Sequence, residues 1–428
     1  MNNKISIFWF RRDLSLEDNK GLHASLQAEL PVLPIFIFDS QILETLPKND
    51  ARVNFIHTTL QKMQDSLQKI HESSIALYFG NPMDIFKKIT SEYNVGTVYT
   101  NHDYEPYGRL RDEVIGKYLS EQGIGFKTYK DQVIFERDEV VKDGGGPYVV
   151  YTPYSKKWKS LFKVSEDTQN YDCEAHFGNL IKNKDLPNLS LLDIGFNSSS
   201  IKIPDFDASP SLIQNYKDTR DYPSVERGTS RLGPHLRFGT VSVRKMIKMA
   251  SLEKNETFLN ELIWREFFMQ ILWHFPKTVH QAFKPKYDRI VWRNNEWEFE
   301  KWKKGITGYP LVDAGMRQLN ATGYMHNRVR MVVASFLCKH LLIDWRWGEA
   351  YFDEKLLDYE LSSNVGNWQW AAGSGVDAAP YFRIFNPMTQ TEKFDKDTTY
   401  IKKWVPEYGR DSYPEKIVDH KEARERCL

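Results

Sequence analysis

Residues 307–342 read TGYPLVDAGMRQLNATGYMHNRVRMVVASFLCKHLL, and this stretch decides the fold of the second half of the chain. Pro310–Leu319 and Met325–Leu342 have the apolar spacing and the length of helices. Phe258–Phe275 has the same character, and β-rich runs are scarce after Pro204. The pattern predicts an all-α C-terminal domain over residues 206–428.

One side of the helix after Met325 carries an unusual mixture of side chains. Asn327, Arg330 and Met331 share that side, and Ala334 follows them. An amide, a guanidinium and a polarizable thioether above a small residue suit an aromatic ligand with hydrogen-bonding edges, although a lone Met more often fills a core.

A second mixed face lies in the helix predicted for Phe258–Phe275. Glu261, Trp264, Arg265 and Phe268 fall at i, i+3, i+4 and i+7, so they share one side. A solvated face would not carry two large aromatics, and a core face would carry Glu and Arg only as a pair. The face indicates the wall of a ligand cavity, with a buried Glu–Arg pair inside a core as the alternative.

Two further segments carry weaker signals. TSRLGP at 229–234 places two hydroxyls and a guanidinium before a Pro that suits the first turn of a helix, where free N–H groups bind phosphate oxygens; an ordinary capped helix is the alternative. Two carboxylates, an amide and two indoles then lie within thirteen residues, namely Asp358, Glu360, Asn364, Trp368 and Trp370.

The first 130 residues alternate β-rich runs with helical stretches. The runs are Ile5–Phe10, Val32–Phe38, Ile75–Phe79, Thr97–Thr100 and, more weakly, Phe126–Tyr129, and the helices include Ala51–Ile70 and Tyr107–Gln122. This alternation predicts an α/β domain over residues 1–130 with a parallel, Rossmann-like sheet, although no GxGxxG follows the first strand. Residues 131–205 are predicted to form an interdomain linker on the surface.

The composition excludes several classes of protein. The net charge is only +1, so binding to a polyanion needs a local basic surface. The three cysteines are scattered and the histidines lack metal-ligand spacing, so we expect neither a disulfide framework nor a metal site. Arg11 and Arg12 interrupt the short apolar run near the N-terminus, so we expect a cytoplasmic protein without a membrane segment.

Tryptophan is concentrated in one part of the chain. Ten of the twelve Trp lie between residues 264 and 404. A large aromatic core explains any one of them, but stacking on an aromatic ligand or electron transfer competes as an explanation for the whole cluster.

Longer motifs identify a family. WFRRDL at 9–14 with Asp18-Asn19 resembles the opening signature of photolyases and cryptochromes, and 307–319 with MHNR at 325–328 resembles their flavin-domain signature. WQWAA at 368–372 and DAAPYFRIFNP at 377–387 extend a resemblance that covers nearly the whole chain and is closest to the class I photolyases of cyclobutane pyrimidine dimers. The family fold is an α/β antenna domain followed by an all-helical FAD domain, which agrees with the organisation above.

The resemblance implies how FAD is held. The family folds FAD into a U shape, with an ion pair beside the isoalloxazine, matched by Arg330 and Asp358, and a residue facing flavin N5, matched by Asn364. The full set that matches FAD contacts is Tyr216, Thr229, Ser230, Arg231, Leu232, Gly233, Phe258, Glu261, Asn327, Arg330, Asp358, Glu360 and Asn364.

The resemblance also implies an electron path and a lesion pocket. Trp368, Trp345 and Trp292 match the chain of indoles that passes an electron from the surface to photoexcited FAD. The residues that match the pocket for a flipped-out dimer are Glu261, Trp264, Asn327, Met331 and Trp370, and further matches to DNA contacts are Arg220, Arg265, Arg328 and Gln390.

The implied activity is light-driven repair of UV-damaged DNA by a monomer. Light excites reduced FAD, an electron passes to the dimer, the ring splits and the electron returns, so the enzyme is a lyase without net redox change. Gly108 stands where folate-binding members carry Glu. That disfavours a methenyltetrahydrofolate antenna and leaves a deazaflavin-type pigment, or none, as the expectation.

Three other functions compete with dimer repair. A cryptochrome would signal through partners, but the lesion-pocket set is complete and only 24 residues follow Trp404. A photolyase for the (6-4) photoproduct would carry His at the positions of Asn327 and Met331. A flavoprotein for hydride transfer would need a nicotinamide site, and the sequence has no motif for one.

Overall fold

The computed structural model describes residues 4–378 and 380–428, which divide into two compact units. The sheet unit comprises the chain up to Glu136, Leu161–Pro204 and Leu232–Leu252, and the helical unit comprises Arg137–Ser160, Asp205–Arg231 and Glu253–Leu428. Within the described residues, the helices are all too short or too polar to cross a membrane.

The sheet unit is built on parallel strands, which confirms the predicted α/β fold. The strands are β1 (Ile5–Phe10), β2 (Val32–Asp39), β3 (Ala76–Gly80), β4 (Val95–Asn101) and β5 (Gly125–Tyr129). They lie in the order β3-β2-β1-β4-β5. The order reverses between β1 and β4, and open parallel sheets bind ligands outside the carboxyl ends of the strands at such a point.

The central strand β1 is buried along its whole length. Ile5, Ile7 and Trp9 pack into the core on one face of the sheet, and Phe8 and Phe10 pack into the core on the other. Successive side chains of a strand point to opposite faces, so a strand covered on both faces needs a continuous apolar run. The run IFWF in β1 meets that need.

Helices follow or connect the strands, and the two that are predicted, Ala51–Ile70 and Tyr107–Gln122, agree with the structure to within one residue at each end. The helices are α1 (Lys20–Leu26), α2 (Ser40–Leu43), α3 (Ala51–His71), α4 (Pro82–Glu92), α5 (Pro106–Glu121), α6 (Tyr151–Leu161) and α7 (Val164–Asp167), with a 3-10 turn at Glu174–Asn179. Side-chain caps fix the starts of two of the longer ones: Asp50 accepts the N–H of Arg52 before α3, and Asn81 accepts the N–H of Met83 before α4.

The second half of the chain is helical, as predicted. It contains α8 (Pro210–Thr219), α9 (Gly233–Phe238), α10 (Val243–Ser251), α11 (Thr257–His274), α12 (Glu296–Lys304), α13 (Pro310–Thr322), α14 (Asn327–Ser335), α15 (Trp345–Lys355), α16 (Leu361–Ala372), α17 (Pro387–Phe394), α18 (Thr399–Trp404) and α19 (His420–Cys427). The helix predicted for Met325–Leu342 begins two residues later, because His326 caps it, and it continues past Ser335 as a π-helical turn at Phe336–His340.

The two compact units cross the predicted domain boundaries at 130 and 205. Residues 137–160, predicted as linker, belong to the helical unit, where Trp158 is fully buried and donates its indole N–H to Glu266 (2.6 Å). Residues 232–252, predicted as part of the C-terminal domain, belong to the sheet unit, where Arg244 pairs with Asp18 (3.0 Å) and Asp131 (2.9 Å). The segment 131–205 is therefore not one surface connector.

Candidate functional site

A cavity of about 610 Å³, the first cavity, lies among α14, α16 and the segment that joins α15 to α16. Its lining includes predicted site residues from two separate segments, namely Asn327, Arg330, Met331, Asp358, Glu360, Asn364, Trp368 and Trp370. The fold brings together side chains that the sequence could only group within each segment.

Arg330 and Asp358 form an ion pair on the wall of the first cavity. The Nη2 group of Arg330 donates to both carboxylate oxygens of Asp358, at 2.9 Å and 3.1 Å, and its Nε donates to the carbonyl oxygen of Met325 (2.8 Å). Hydrogen bonds between ionised groups are stronger than those between neutral groups. The pair fastens α14 to the segment that precedes α16 and keeps this part of the lining electrically neutral.

Asn364 is held by a carboxylic acid that the sequence analysis missed. The amide Nδ2 of Asn364 donates to Oε1 of Glu349 (3.0 Å), and the hydroxyl of Tyr359 donates to the same oxygen (3.3 Å). Burial raises the pKa of Glu349 to about 7, and the hydrogen bond from Asn364 only partly offsets it. With its Nδ2 engaged, Asn364 keeps its carbonyl oxygen as an acceptor for the cavity.

A second cavity of about 500 Å³ is lined by Thr229, Arg231, Tyr324 and His326, among others. The hydroxyls of Thr229 and Tyr324 lie 3.2 Å apart. His326 is buried, its Nδ1 accepts the N–H of Arg328 (3.1 Å), and its Nε2 has no partner among the described residues. Burial lowers the pKa of His326 to about 4, so the ring is neutral and its Nε2–H is a free donor.

The predicted phosphate-side residues are divided between the two units. Thr229, Ser230 and Arg231 line a third cavity of about 820 Å³ together with Arg227, in the helical unit. Hydroxyls and guanidinium groups of this kind suit phosphate oxygens. Leu232 and Gly233 belong to the sheet unit, where α9 begins.

Glu261 is paired with Arg220. An Nη1–H of Arg220 donates to Oε1 of Glu261, and the guanidinium of Arg220 also lies over the ring of Tyr216, 5.7 Å from its centroid. Tyr216 in turn packs edge-to-face on Phe258, with centroids 5.1 Å apart. Burial raises the pKa of Glu261, while Arg220 opposes the rise. Four predicted residues are thus neighbours, and Glu261 gains a proton more readily than an exposed carboxylate.

Trp264 is embedded in a cluster of rings. Its indole stacks on Tyr151 with centroids 3.6 Å apart and an interplanar angle of 5°, and it lies 5.5 Å from Phe268 at 27°. The shared helical face predicted for Trp264 and Phe268 is therefore present. Tyr151 lies in the segment predicted as linker, so the sequence analysis did not associate it with a site.

The remaining predicted DNA contacts lie on three elements of the helical unit. Arg328 donates to Asp221 (2.8 Å) and stacks over Phe394, with its guanidinium carbon 4.2 Å from the ring centroid. Arg265 is half-buried on α11. Gln390 is half-buried on α17, and its Oε1 has no partner among the described residues.

The three indoles of the predicted electron path range from buried to partly exposed. Trp368 and Trp345 are buried, and Trp292 packs against the same core but is only partly buried. Gly348 brings α15 and α16 together, because a Cβ at that position would lie only 2.1 Å from Cη2 of Trp368. The indole of Trp368 also lies 6.2 Å from that of Trp302, which is not among the three indoles predicted for the electron path.

Comparison with known proteins covers both units. The family model described as DNA photolyase matches residues 6–172, and the model of the FAD binding domain of DNA photolyase matches residues 258–411. The chain is 36% identical over 479 residues to the deoxyribodipyrimidine photo-lyase of Halobacterium salinarum, with 99% of this chain and 98% of that protein covered.

Two solved structures extend the comparison to the fold. A bacterial class III photolyase from Agrobacterium tumefaciens has a TM-score of 0.88 at 34% identity, covering 100% of this chain and 97% of that one. An archaeal photolyase from Sulfolobus tokodaii, solved with two FAD molecules, has a TM-score of 0.83 at 34% identity, covering 99% and 98%. Because the likeness spans the whole chain in sequence and in fold, the chain belongs to the photolyase and cryptochrome family.

Proposed function

We propose that the protein is a light-driven lyase that uses FAD to split cyclobutane pyrimidine dimers in UV-damaged DNA. The observation that carries the proposal is the first cavity. The Arg330–Asp358 pair and Asn364 share its lining with Met331 and Trp370, two residues that match the lesion pocket of the family. One cavity thus offers both polar groups for a flavin and apolar groups for a pyrimidine dimer.

The residues present fit FAD. Asn364 offers an acceptor and Arg330 and Asp358 a fixed ion pair toward a ring with hydrogen-bonding edges, and the unpartnered Nε2–H of His326 offers a donor in the second cavity. In the third cavity Thr229 and Ser230 offer hydroxyls to phosphate oxygens, and Arg227 and Arg231 offset the lining carboxylates of Asp205, Asp207 and Glu226. When bound and reduced, FAD supplies the photoexcited electron donor.

Glu261 stabilises the dimer after it has received an electron. In this proposal Glu261 hydrogen-bonds the pyrimidine edge as negative charge develops there; burial raises its pKa toward the acid form that such a bond needs, while Arg220 opposes the rise. Arg220 holds the acid in place and keeps a positive charge nearby. The arrangement is in place before the electron arrives, so no reorganisation is needed at that moment.

Trp264 and Trp370 form apolar walls for the flipped-out dimer. Extrusion of a nucleotide costs a few kcal/mol and costs least where stacking is already disturbed, which favours the lesion over intact DNA. Arg328, Arg265 and Gln390 contact the DNA around the pocket in this proposal, and we expect a single copy of the chain to act on it.

We also propose that any antenna pigment is a flavin or a deazaflavin and not a folate. A Cβ at Gly108 would lie 2.4 Å from Cγ of Asp103, so this chain has no room for the Glu that folate-binding members carry. At the carboxyl end of β1, the guanidinium groups of Arg11 and Arg111 each lie 4.9 Å from the ring centroid of Trp9. The similarity to a photolyase solved with two FAD molecules supports a second flavin-like pigment.

The cysteines support a reducing compartment such as the cytoplasm. Cys173, Cys338 and Cys427 are free thiols, and all are buried. Structural disulfides are typical of oxidising compartments and are rare in the cytosol.

Repair of an oligonucleotide that contains one thymine dimer tests the proposed function. We expect the FAD-loaded protein to restore the thymines under blue light and to leave the dimer intact in the dark. Glu261→Ala should lower the quantum yield of repair, whereas Glu256→Gln, a change on a Glu at the start of the same helix that pairs with Lys159, should not.

Three outcomes would count against this assignment. A protein that does not take up FAD when it is supplied refutes the proposal as a whole. Photoreduction of FAD without repair points to a signalling role of the cryptochrome type. An unchanged quantum yield in Glu261→Ala refutes the lesion-pocket assignment alone.

A further inference from the structure

We infer that Tyr151 is a positioning residue for lesion recognition, because it fixes the orientation of the Trp264 indole against which the dimer packs. The inference rests on the proposed function. Tyr151 is the first residue of α6, and it lies with Trp264 in the helical unit. Its part is to hold a wall of the pocket and not to touch the reacting atoms.

The contact between Tyr151 and Trp264 is unusually close. Their ring centroids are 3.6 Å apart and their planes differ by 5°. Aromatic pairs in proteins more often have centroids about 4.5–7 Å apart, in offset or edge-to-face arrangements. The phenol ring therefore covers much of one face of the indole, and the covered part is closed to a pyrimidine.

Tyr151 is itself held at three points. Its backbone N–H donates to the Asp377 carboxylate (3.2 Å), and its hydroxyl donates to the carbonyl oxygen of Asn260 (2.9 Å). Its ring also meets the edge of Phe267, with centroids 5.9 Å apart. A ring fixed at both its backbone and its hydroxyl is a rigid support.

Trp264 depends on this support because the described residues offer it only ring contacts. Its partners are Tyr151, Phe267 at 5.5 Å edge-to-face, and Phe268 at 5.5 Å. No hydrogen bond fixes the indole within the described part of the chain. Without Tyr151, the indole could turn, and ordering it again on binding would cost conformational entropy.

The hydroxyl bond extends the support to Glu261. Asn260 directly precedes Glu261 on α11, and Trp264 follows one helical turn after Asn260. Tyr151 thus contacts both ends of the turn that carries the acid and the indole of the lesion pocket. Loss of the tyrosine should impair recognition of the dimer and leave contacts to the DNA backbone intact.

Binding measurements on three FAD-loaded variants test this inference. Tyr151→Leu should weaken binding to an oligonucleotide with one thymine dimer by about three- to tenfold, the worth of one aromatic pair. Binding to the undamaged oligonucleotide should not change. Tyr151→Phe, which keeps the ring, should retain most of the affinity, and Tyr148→Leu, three residues earlier and without a contact to Trp264, serves as the matched control.

The outcomes separate this inference from the proposed function. If the unaltered protein does not prefer the dimer, the proposed function fails. If the unaltered protein prefers the dimer, two results would show that the positioning role is wrong. Either Tyr151→Leu binds the dimer as tightly as the unaltered protein, or it loses affinity equally for damaged and undamaged DNA. If Tyr151→Leu loses FAD or native circular dichroism, the variant Asp377→Asn is measured instead. Asn tolerates the φ of 45° at position 377, and the change weakens only the hydrogen bond to the backbone N–H of Tyr151. A smaller loss of dimer affinity in Asp377→Asn then supports the role, and no loss refutes it.

Discussion

The carboxyl edge of the sheet unit and the first cavity of the helical unit both bury charged groups, but the two regions differ in how many charged partners surround those groups. At the sheet edge, Arg12 pairs with Glu105 (3.0 Å) and Asp103 (3.5 Å), and Arg111 lies within 4 Å of Asp39 and Asp103. In the first cavity, one ion pair stands beside Asn364, whose partner is the acid Glu349.

The pKa values of two buried acids express this difference. Burial opposes ionisation of Asp103, but the guanidinium groups of Arg12, Arg11 and Arg111 outweigh it and lower the pKa to about 2. Among the described residues no cation lowers the pKa of Glu349 in this way, and burial raises that pKa to about 7. A network in which opposite charges balance stabilises a fold. Polar groups with an unused hydrogen-bonding position are available to a ligand or a proton.

Removal of Asp103 should have the largest effect on stability. Asp103→Ala leaves three guanidinium groups at the sheet edge without one of their carboxylates, which should lower the free energy of unfolding by about 3 kcal/mol. Urea unfolding measures the loss, with the exposed Asp84→Ala as the control. FAD content should be unchanged.

The effect of Asp103 should also depend on pH in a defined direction. Its pKa in the folded protein, about 2, lies below the ordinary value, so its contribution is present above about pH 4 and is lost as the pH falls toward 2. The two proteins should converge in stability over that window. Equal stability at pH 7 would show that the network does not stabilise the sheet unit.

Loss of the cavity ion pair should affect the ligand more than the fold. Arg330→Met leaves Asp358 uncompensated beside the flavin site, so the Kd for FAD should rise by at least about thirtyfold, or about 2 kcal/mol. Fluorescence titration of the apoprotein with FAD measures this, with Arg317→Met as the control, since Arg317 pairs with Glu407 outside the first cavity. Unchanged FAD affinity in Arg330→Met would place the flavin elsewhere.

Glu349 should give the protein a pH-dependent stability of about 1–2 kcal/mol. Its folded pKa, about 7, lies above the ordinary value of 4.5, so between these values the folded state keeps a proton that the unfolded state has released. This contribution to stability is full below the ordinary pKa and is lost as the pH rises toward 7.

Glu349→Gln should remove that slope. Urea unfolding of both proteins at pH 5.5 and pH 8 should show the unaltered protein losing stability relative to the variant at the higher pH. Glu354→Gln, on an exposed Glu of the same helix, is the control. Parallel curves for the unaltered protein and Glu349→Gln would contradict the raised pKa.

The smallest effect should come from Arg328 at the DNA rim. Arg328→Gln should weaken binding to damaged and undamaged DNA alike, about twofold, and reduce the slope of log affinity against log salt by about 0.9. Titrations at several salt concentrations measure both quantities, with Arg346→Gln as the control, since Arg346 pairs with Asp288 away from the first cavity. A loss confined to dimer-containing DNA would make Arg328 a lesion contact instead.

Much of the fold followed from local pattern. β1 was predicted at Ile5–Phe10 and lies there, because a parallel strand covered on both faces needs a continuous apolar run. The unit boundaries did not follow, because they depend on distant partners. Trp158 bonds to Glu266 and Arg244 to Asp18, and no local pattern records contacts over 108 and 226 residues.

The candidate site was predictable within each helix and not between helices. Helical periodicity placed Asn327, Arg330 and Met331 on one side, and all three line the first cavity. Glu349 was not predicted, because a Glu on a helix with both polar and apolar residues is most simply interpreted as a surface residue. Its role depends on its partner, Asn364 on the next helix, which the sequence does not reveal. Tyr151 was missed because its ring gains a role only through a stack with a residue 113 positions later in the sequence.

Arg244 reaches the sheet unit late during synthesis. The ribosome makes Asp18 and Asp131 first, and 113 residues separate Asp131 from the arginine that neutralises both. At a synthesis rate of about 5–20 residues per second, roughly 6–23 seconds pass between the synthesis of Asp131 and that of Arg244. During this interval the two acids lack the arginine that neutralises them. A chain that ends at residue 205 would therefore lack the last two helices of the sheet unit, and it would also lack Arg244, the cation that neutralises these two acids.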